Sequence, residues 1–330
     1  VAFNGASQIR DTSVSDDDPV TLSSASLAPR LDYSGAPTTG TGSIACGQPV
    51  TFALSATGGS GSYQYMFTSV SLDIDGERSI VHNMTSSGFS DANTFVYTFV
   101  ASGTYYLYCS VRDTVTNGFK SLTERIVVND LAYPRVEDLA QRVVDECNAK
   151  GYKTEYEKAI FYNNFIVDNV EYDYSYKESS ALGAFAKGKA VCEGYYQALK
   201  MLLVRSRIQC VRTPANGHVW ATVRLDGVWT QVDPTKDDDA TAPFENVYFG
   251  ITDEMSELVH DGYRRNPAYP CNSTAANYLF RSGEVAKYVS KAETEIRQKL
   301  TQGNESFTVA LDRYAPFKEV YHAFYPMVVA

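Results

Sequence analysis

Cys192 opens the run Cys192-Glu193-Gly194-Tyr195-Tyr196-Gln197-Ala198-Leu199-Lys200-Met201-Leu202-Leu203. Within it, Tyr195, Ala198, Leu199, Leu202 and Leu203 recur at helical spacing, which predicts a helix with one buried stripe and Cys192 in its first turn. The first N–H groups of a helix have no intrahelical partner and its dipole is positive there, so a thiol at this position is favoured as thiolate. That is where a sulfur nucleophile belongs. A cysteine alone is more often a small buried hydrophobe, so a base is needed to tip the balance.

Two alternating runs follow, Gly217-His218-Val219-Trp220-Ala221-Thr222-Val223-Arg224-Leu225 and Val228-Trp229-Thr230-Gln231-Val232-Asp233, joined by Asp226-Gly227. Asp-Gly between alternating hydrophobics signals a two-residue hairpin, which pairs Leu225 with Val228. Asp233 then falls opposite Trp220, on the face that carries His218 and diagonal to it. Diagonal neighbours lie within reach of a His–carboxylate hydrogen bond. Val219, Ala221, Val223, Leu225, Val228 and Val232 take the other face. A carboxylate on one imidazole nitrogen fixes the tautomer and leaves the other nitrogen to accept the Cys192 proton. The three residues thus make a candidate catalytic set: Cys192 as nucleophile, His218 as base, Asp233 as orienting carboxylate.

The elements that must position them begin after Pro134, where the apolar period becomes helical. Val136, Leu139, Ala140, Val143 and Val144 form one stripe ending at Lys150-Gly151, and a second helix is expected over 154–169, with Ala159, Ile160, Phe165 and Ile166 buried. Residues 44–131 are different in texture. Runs such as 50–54, 63–67, 95–99 and 105–111 alternate in period two between glycine-rich turns, which predicts a β-sandwich. This texture resembles the immunoglobulin-like modules of secreted bacterial proteins. Residues 1–43, rich in Ser, Thr, Asp, Gly and Pro, read as a linker or arm. The tail, 271–330, reads as an α/β extension: a helix over 285–300, a strand over 307–311 and a closing helix.

The run from Tyr172 to His260 resembles the transglutaminase-like superfamily of papain-type thiol enzymes. The matching pieces are Val170-Glu171-Tyr172-Asp173-Tyr174, Lys187-Gly188-Lys189-Ala190-Val191-Cys192-Glu193-Gly194-Tyr195, Ile208-Gln209-Cys210, Gly217-His218-Val219-Trp220, Asp226-Gly227-Val228-Trp229 and Val232-Asp233-Pro234-Thr235. Tyr248 to Met255 and His260 extend the likeness. The resemblance covers roughly 134–270, with the domain drawn over 132–270. It implies an α+β fold whose Cys helix packs on an antiparallel sheet, a thioester intermediate, and the catalytic roles given above for Cys192, His218 and Asp233. Tyr172 is a candidate second oxyanion donor beside the Cys192 N–H, and Glu193, Tyr195, Trp220 and Trp229 are candidate cleft-lining residues. Two positions depart from the common pattern: Ala221 stands where relatives often have Asn, and Lys236 where Trp is frequent.

The bulk of the chain restricts the alternatives. A net charge of −10 with no Lys/Arg block excludes a nucleic-acid binder, which needs clustered positive charge. No apolar run is long enough to span a membrane. The first residues include no initiating Met and no signal peptide, so the chain is read as processed, with a secreted or cell-surface location. No C-x-x-C pair occurs and histidine is scarce, so no metal site is expected, and no cofactor. Asp16–Asp18 and Asp237–Asp239 read as solvated charge runs. Cys46 with Cys109, and Cys147 with Cys271, are candidate disulfides, while Cys210 reads as core. The expected activity is thiol-dependent acyl transfer from an amide or peptide, as a cysteine protease or amidase. The partner would be a protein or peptide substrate, such as a cell-wall or surface protein. The alternatives are a protein-crosslinking transglutaminase and a catalytically silent surface binding or scaffold protein.

Overall fold

The computed structural model describes residues 26–36, 38–40, 42–84, 88–238 and 245–302. The chain divides into two compact units, Val1–Arg135 and Val136–Ala330. The first is all-β. Strands β1 (Ala28–Ser34), β2 (Pro49–Thr57) and β5 (Thr94–Thr98) form one antiparallel sheet in the order β1-β2-β5. Strands β3 (Tyr63–Ile74), β4 (Glu77–Asn83), β6 (Gly103–Asp113) and β7 (Phe119–Val128) form a second, in the order β4-β3-β6-β7. The alternation sets the core: Val50, Phe52 and Leu54 of β2, and Tyr105, Leu107, Cys109 and Val111 of β6, are all buried. Phe99 packs edge-on against Tyr105 with ring centroids 4.8 Å apart. β1 corrects the reading of 1–43 as a linker. Its register with β2, from Ala28 opposite Thr57 to Ser34 opposite Thr51, makes residues 28–34 part of the sheet.

The second unit is α+β. Helices α1 (Val136–Ala149) and α2 (Glu155–Asn169) precede α3 (Cys192–Arg205), which packs against both and against strand β11 (His218–Leu225). α3 buries Tyr195, Tyr196, Ala198, Leu199, Met201, Leu202 and Leu203, more than one stripe, because neighbours surround it. The register reading of α2 was partly off: Ala159 and Ile166 are buried, but Tyr162 and Asn163 replace Ile160 and Phe165 in the interior. β11 sits in a four-stranded antiparallel sheet with β10 (Cys210–Ala215), β12 (Val228–Val232) and β13 (Phe249–Ile251), ordered β10-β11-β12-β13. The hairpin pairs Leu225 with Val228 and Ala221 with Val232, and both turn residues, Asp226 and Gly227, have positive φ (50° and 91°).

Helix α5 (Asp253–Val259) follows, and the segment after it, expected as a separate extension from 271, is built into this unit. Cys271 donates its N–H to Asp253 and accepts the N–H of Asp253 in return. Cys271, Ala276, Asn277 and Leu279 are buried. Gly250 makes this approach possible: at φ +79°, an added Cβ would lie 1.9 Å from the Ala276 carbonyl oxygen. Helices α6 (Tyr278–Arg281) and α7 (Glu284–Thr301) complete the described chain. The Asp16–Asp18 run, the strand at 307–311 and the closing helix lie outside the described residues. All six cysteines are free thiols, so neither candidate disulfide is formed. Burial pushes the Cys46, Cys109, Cys210 and Cys271 thiols up to about 12 and raises that of Cys147. No helix of the described residues is long and apolar enough to cross a membrane.

Candidate active site

Cys192 stands at the first position of α3, half-buried, and the residue before it, Val191, has no side chain able to cap the helix. By contrast, α2 has a full capping box from Thr154 and Glu157, and Thr252 caps α5. The first N–H groups of α3 are therefore left without a side-chain acceptor, beside a sulfur atom. Gly194 lets this turn sit deep: a Cβ there would come within 2.6 Å of Ala190 Cβ and 2.9 Å of the Ser180 carbonyl oxygen. Strands β8 (Glu171–Tyr172) and β9 (Lys189–Ala190) pair in parallel, Tyr172 opposite Ala190, and so bring Tyr172 up to the start of α3.

His218 begins β11 and donates from Nε2 to the Asp233 carboxylate Oδ2 at 2.7 Å. The Cys192 side chain is a second hydrogen-bond partner of the ring. Burial alone would lower the imidazole pKa, but the hydrogen bonds to Asp233 and Cys192 and the neighbouring negative charge outweigh it and raise it to about 9. Asp233 is fully buried. Burial pushes its carboxyl up, yet the hydrogen bonds from His218 and His260 hold it well below the usual carboxylate range. Its Oδ1 caps helix α4 (Pro234–Asp237), accepting from the N–H groups of Thr235 at 3.1 Å and Lys236 at 3.2 Å. The hairpin register thus carries Asp233 to His218, and the turn into α4 aims the carboxylate.

His260, the C-cap of α5, was not given a role by the pattern of residues, and nothing local pairs it with Asp233. In space its Nε2 lies 2.9 Å from the same Asp233 Oδ2 that binds His218. Its ring is stacked on Trp220, centroids 3.9 Å apart and 10° from parallel. Trp220 in turn donates from Nε1 to Gln231 Oε1 at 2.7 Å, and Gln231 donates to Asp253 and Tyr263.

The expected cleft residues separate. Tyr195 and Trp220 are fully buried and line no open cleft: the Tyr195 hydroxyl is held by Val170 O and Asp238, and Trp220 lies beneath the imidazoles. Trp229 packs on Tyr269, centroids 4.8 Å apart. Glu193, next to Cys192 in sequence, is paired with Arg212. Tyr172 lies close enough to Cys192 for their charges to interact, and burial is the main cause of its phenol being pushed up to about 12. Two exposed rings, Tyr174 and Tyr176, pack edge-on against it. Their turn is organised by Asp173, which accepts from the N–H groups of Ser175, Lys177 and Glu178. Asp237 and Asp238 are half-buried and tied into the fold rather than part of a solvated loop, and Asp239 lies outside the described residues. Asp237 accepts from Tyr248 N–H and Asn163, and Asp238 from Tyr195. Ala221 faces away from the site, since alternation puts it on the opposite side of β11 from His218.

Among the described residues, His218, Asp233 and His260 form the one grouping with metal-ligand atoms close together, within 4.8 Å of one another. Both imidazoles spend Nε2 on the carboxylate itself, so the arrangement is that of a hydrogen-bonded dyad on one acid.

Residues 138–234 match the model of the transglutaminase-like superfamily. A crystal structure of a TGase is similar over 32% of this chain and 33% of its own, with 17% identity and a TM-score of 0.29. The present chain thus spans about a third of that protein's length. A protein from Cytophaga hutchinsonii, provisionally named a cysteine protease, is similar over 64% of this chain and 75% of its own, at 16% identity and TM-score 0.27. The PKD domain of human SorCS2 is similar over 39% of this chain and 98% of its own, at 17% identity and TM-score 0.20. No curated protein matches the sequence.

Proposed function

We propose that the chain, whose residues 138–234 match the transglutaminase-like superfamily, is a thiol-dependent acyl-transfer enzyme acting on amide or peptide bonds. The observation that carries this reading is the unbroken line Cys192–His218–Asp233, in which one imidazole bonds both the sulfur and a buried carboxylate. His218, raised to about 9, already holds the thiol proton as imidazolium, and Cys192 Sγ attacks the carbonyl carbon. The oxyanion that forms is met by the uncapped N–H groups of the first turn of α3, with Tyr172 as the second donor. The imidazolium then protonates the departing amine, leaving a thioester on Cys192.

Water attacks that thioester with His218 as base, returning the thiol and a carboxylic acid. We favour hydrolysis because Cys192 is only half-buried and water is always at hand. The enzyme would act outside the cell, on a protein or peptide at a surface, with the immunoglobulin-like β unit as a docking module.

The test is mass spectrometry of the protein after incubation with a peptide library, with and without a primary amine. An acyl adduct on Cys192, absent in Cys192→Ala, and water-derived acid products support the reading. Amide products only with the amine would assign cross-linking. No adduct, and no product, in the folded protein would sink it.

A further inference from the structure

Two imidazoles on one carboxylate are unequal partners. His218 is one-quarter exposed at its side chain and bonds Cys192; the His260 side chain is 1% exposed, and its imidazole bonds Asp233 alone among the described residues. The other nitrogen of His260, Nδ1, is buried without a hydrogen-bond partner among the described residues. Protonating His260 would place a buried N–H there with nothing to accept it, which disfavours the charged ring beyond the cost of burying the charge itself. The groups facing it agree: Asp233 and Lys236 from α4, His218 from β11, and the Tyr248 ring, centroid 6.3 Å away. Burial, ahead of the two cations, outweighs Asp233 and lowers its pKa. His260 is held neutral, so its Nε2–H is a permanent donor.

Asp233 therefore has donors on four sides: His218 and His260 on Oδ2, and Thr235 and Lys236 N–H groups on Oδ1. Without His260, the lone pair of Oδ2 that points into the protein would be unsatisfied, and the carboxylate would be free to turn off the His218 axis. Trp220 sets the plane of the His260 ring, and Gln231 sets Trp220.

We propose that His260 is a positioning residue for the acyl-transfer reaction: a neutral imidazole, clamped by Trp220, that fixes the Asp233 carboxylate on His218 without competing for the catalytic proton. This rests on the functional reading above.

The experiment needs no substrate. The alkylation rate of Cys192 by iodoacetamide is measured against pH in the full chain, wild type and variants, with folding followed by circular dichroism. His260→Phe keeps a ring against Trp220 but loses the donor. His260→Gln loses the ring but keeps an N–H that reaches Asp233. Positioning predicts that His260→Phe slows the neutral-pH reaction about tenfold, the rate equivalent of one hydrogen bond to a charged group, and that His260→Gln stays within about threefold of wild type by the same measure. A space-filling role predicts the reverse order and overturns the inference, as would wild-type reactivity in His260→Phe. If His260→Phe does not fold, His260→Met, similar in size and without a donor, takes its place against His260→Gln. A wild-type Cys192 that titrates like free cysteine would instead overturn the acyl-transfer reading itself.

Discussion

Asp226 and Glu155 hold each other within the second unit. The Asp226 carboxylate, at the tip of the β11–β12 hairpin, accepts the N–H groups of Glu155 at 2.9 Å and Tyr156 at 3.4 Å, while Asp226 N–H donates to the Glu155 carboxylate at 2.6 Å. One residue thus makes the turn and accepts the first N–H groups of α2 that the Thr154 capping box leaves over. Asp226→Ala removes those acceptors and puts alanine at positive φ, and is expected to cost about 1–2 kcal/mol. Urea denaturation checks this. Asp226→Asn, which retains one acceptor and tolerates the turn, is expected to lose less, and neither change should alter Cys192 alkylation. An unchanged midpoint in Asp226→Ala would mean that the capping bonds contribute nothing.

That hairpin also marks how far the sequence could be read. Asp-Gly and the alternation around it define a register, and the register alone carries His218 to Asp233. Likewise the stripe through Tyr195, Ala198, Leu199 and Leu202 defines α3 and puts Cys192 at its start. Both depend on short-range periodicity. His260 was out of reach because it meets Asp233 through a loop closure, and no local pattern encodes that. Tyr195 and Trp220 were misplaced for a related reason. Neighbourhood along the chain says nothing of depth, and both rings are covered by elements distant in sequence. β1 was missed because Ala28-Pro29-Arg30-Leu31-Asp32-Tyr33-Ser34 is largely exposed, so its pattern is weak.

The His218 proton should tie stability to pH. The imidazole is held at about 9 in the fold against 6.5 ordinarily, so the folded chain binds the proton more tightly than the unfolded chain. The gain is complete below pH 6.5 and is lost as pH rises through 9; by linkage it amounts to about 3 kcal/mol at most. The depressed Asp233 carboxyl has the opposite sign: its contribution is present above the ordinary value of 3.8 and is lost as pH falls below it. Unfolding free energies from pH 6 to 10 are expected to fall more steeply for wild type than for His218→Gln. Parallel curves would show that the proton is not held in the fold.

Gly194→Ala tests the seating of the nucleophile. Its Cβ would press on Ala190 and on the Ser180 carbonyl, so the first turn of α3 must move outward. Cys192 alkylation is expected to slow at least tenfold, since a small misplacement of reacting groups is costly, while far-UV circular dichroism stays near wild type. Undiminished reactivity would show that this turn has room to spare.

Gly250→Ala should act on stability. Both its positive φ and the Ala276 carbonyl oppose a Cβ, and a loss of about 2–4 kcal/mol is expected from combined backbone strain and overlap. A thermal midpoint within a degree or two of wild type would mean that the 271–281 segment is not held against the sheet.

The burial of the other five sulfurs has a practical consequence. With those thiols pushed up by burial, a mild thiolate-directed reagent should find one sulfur in the native chain and six once it is denatured. The molecule therefore carries its own stoichiometric gauge. The first equivalent counts competent sites, and each chain that opens adds five more thiols to the count.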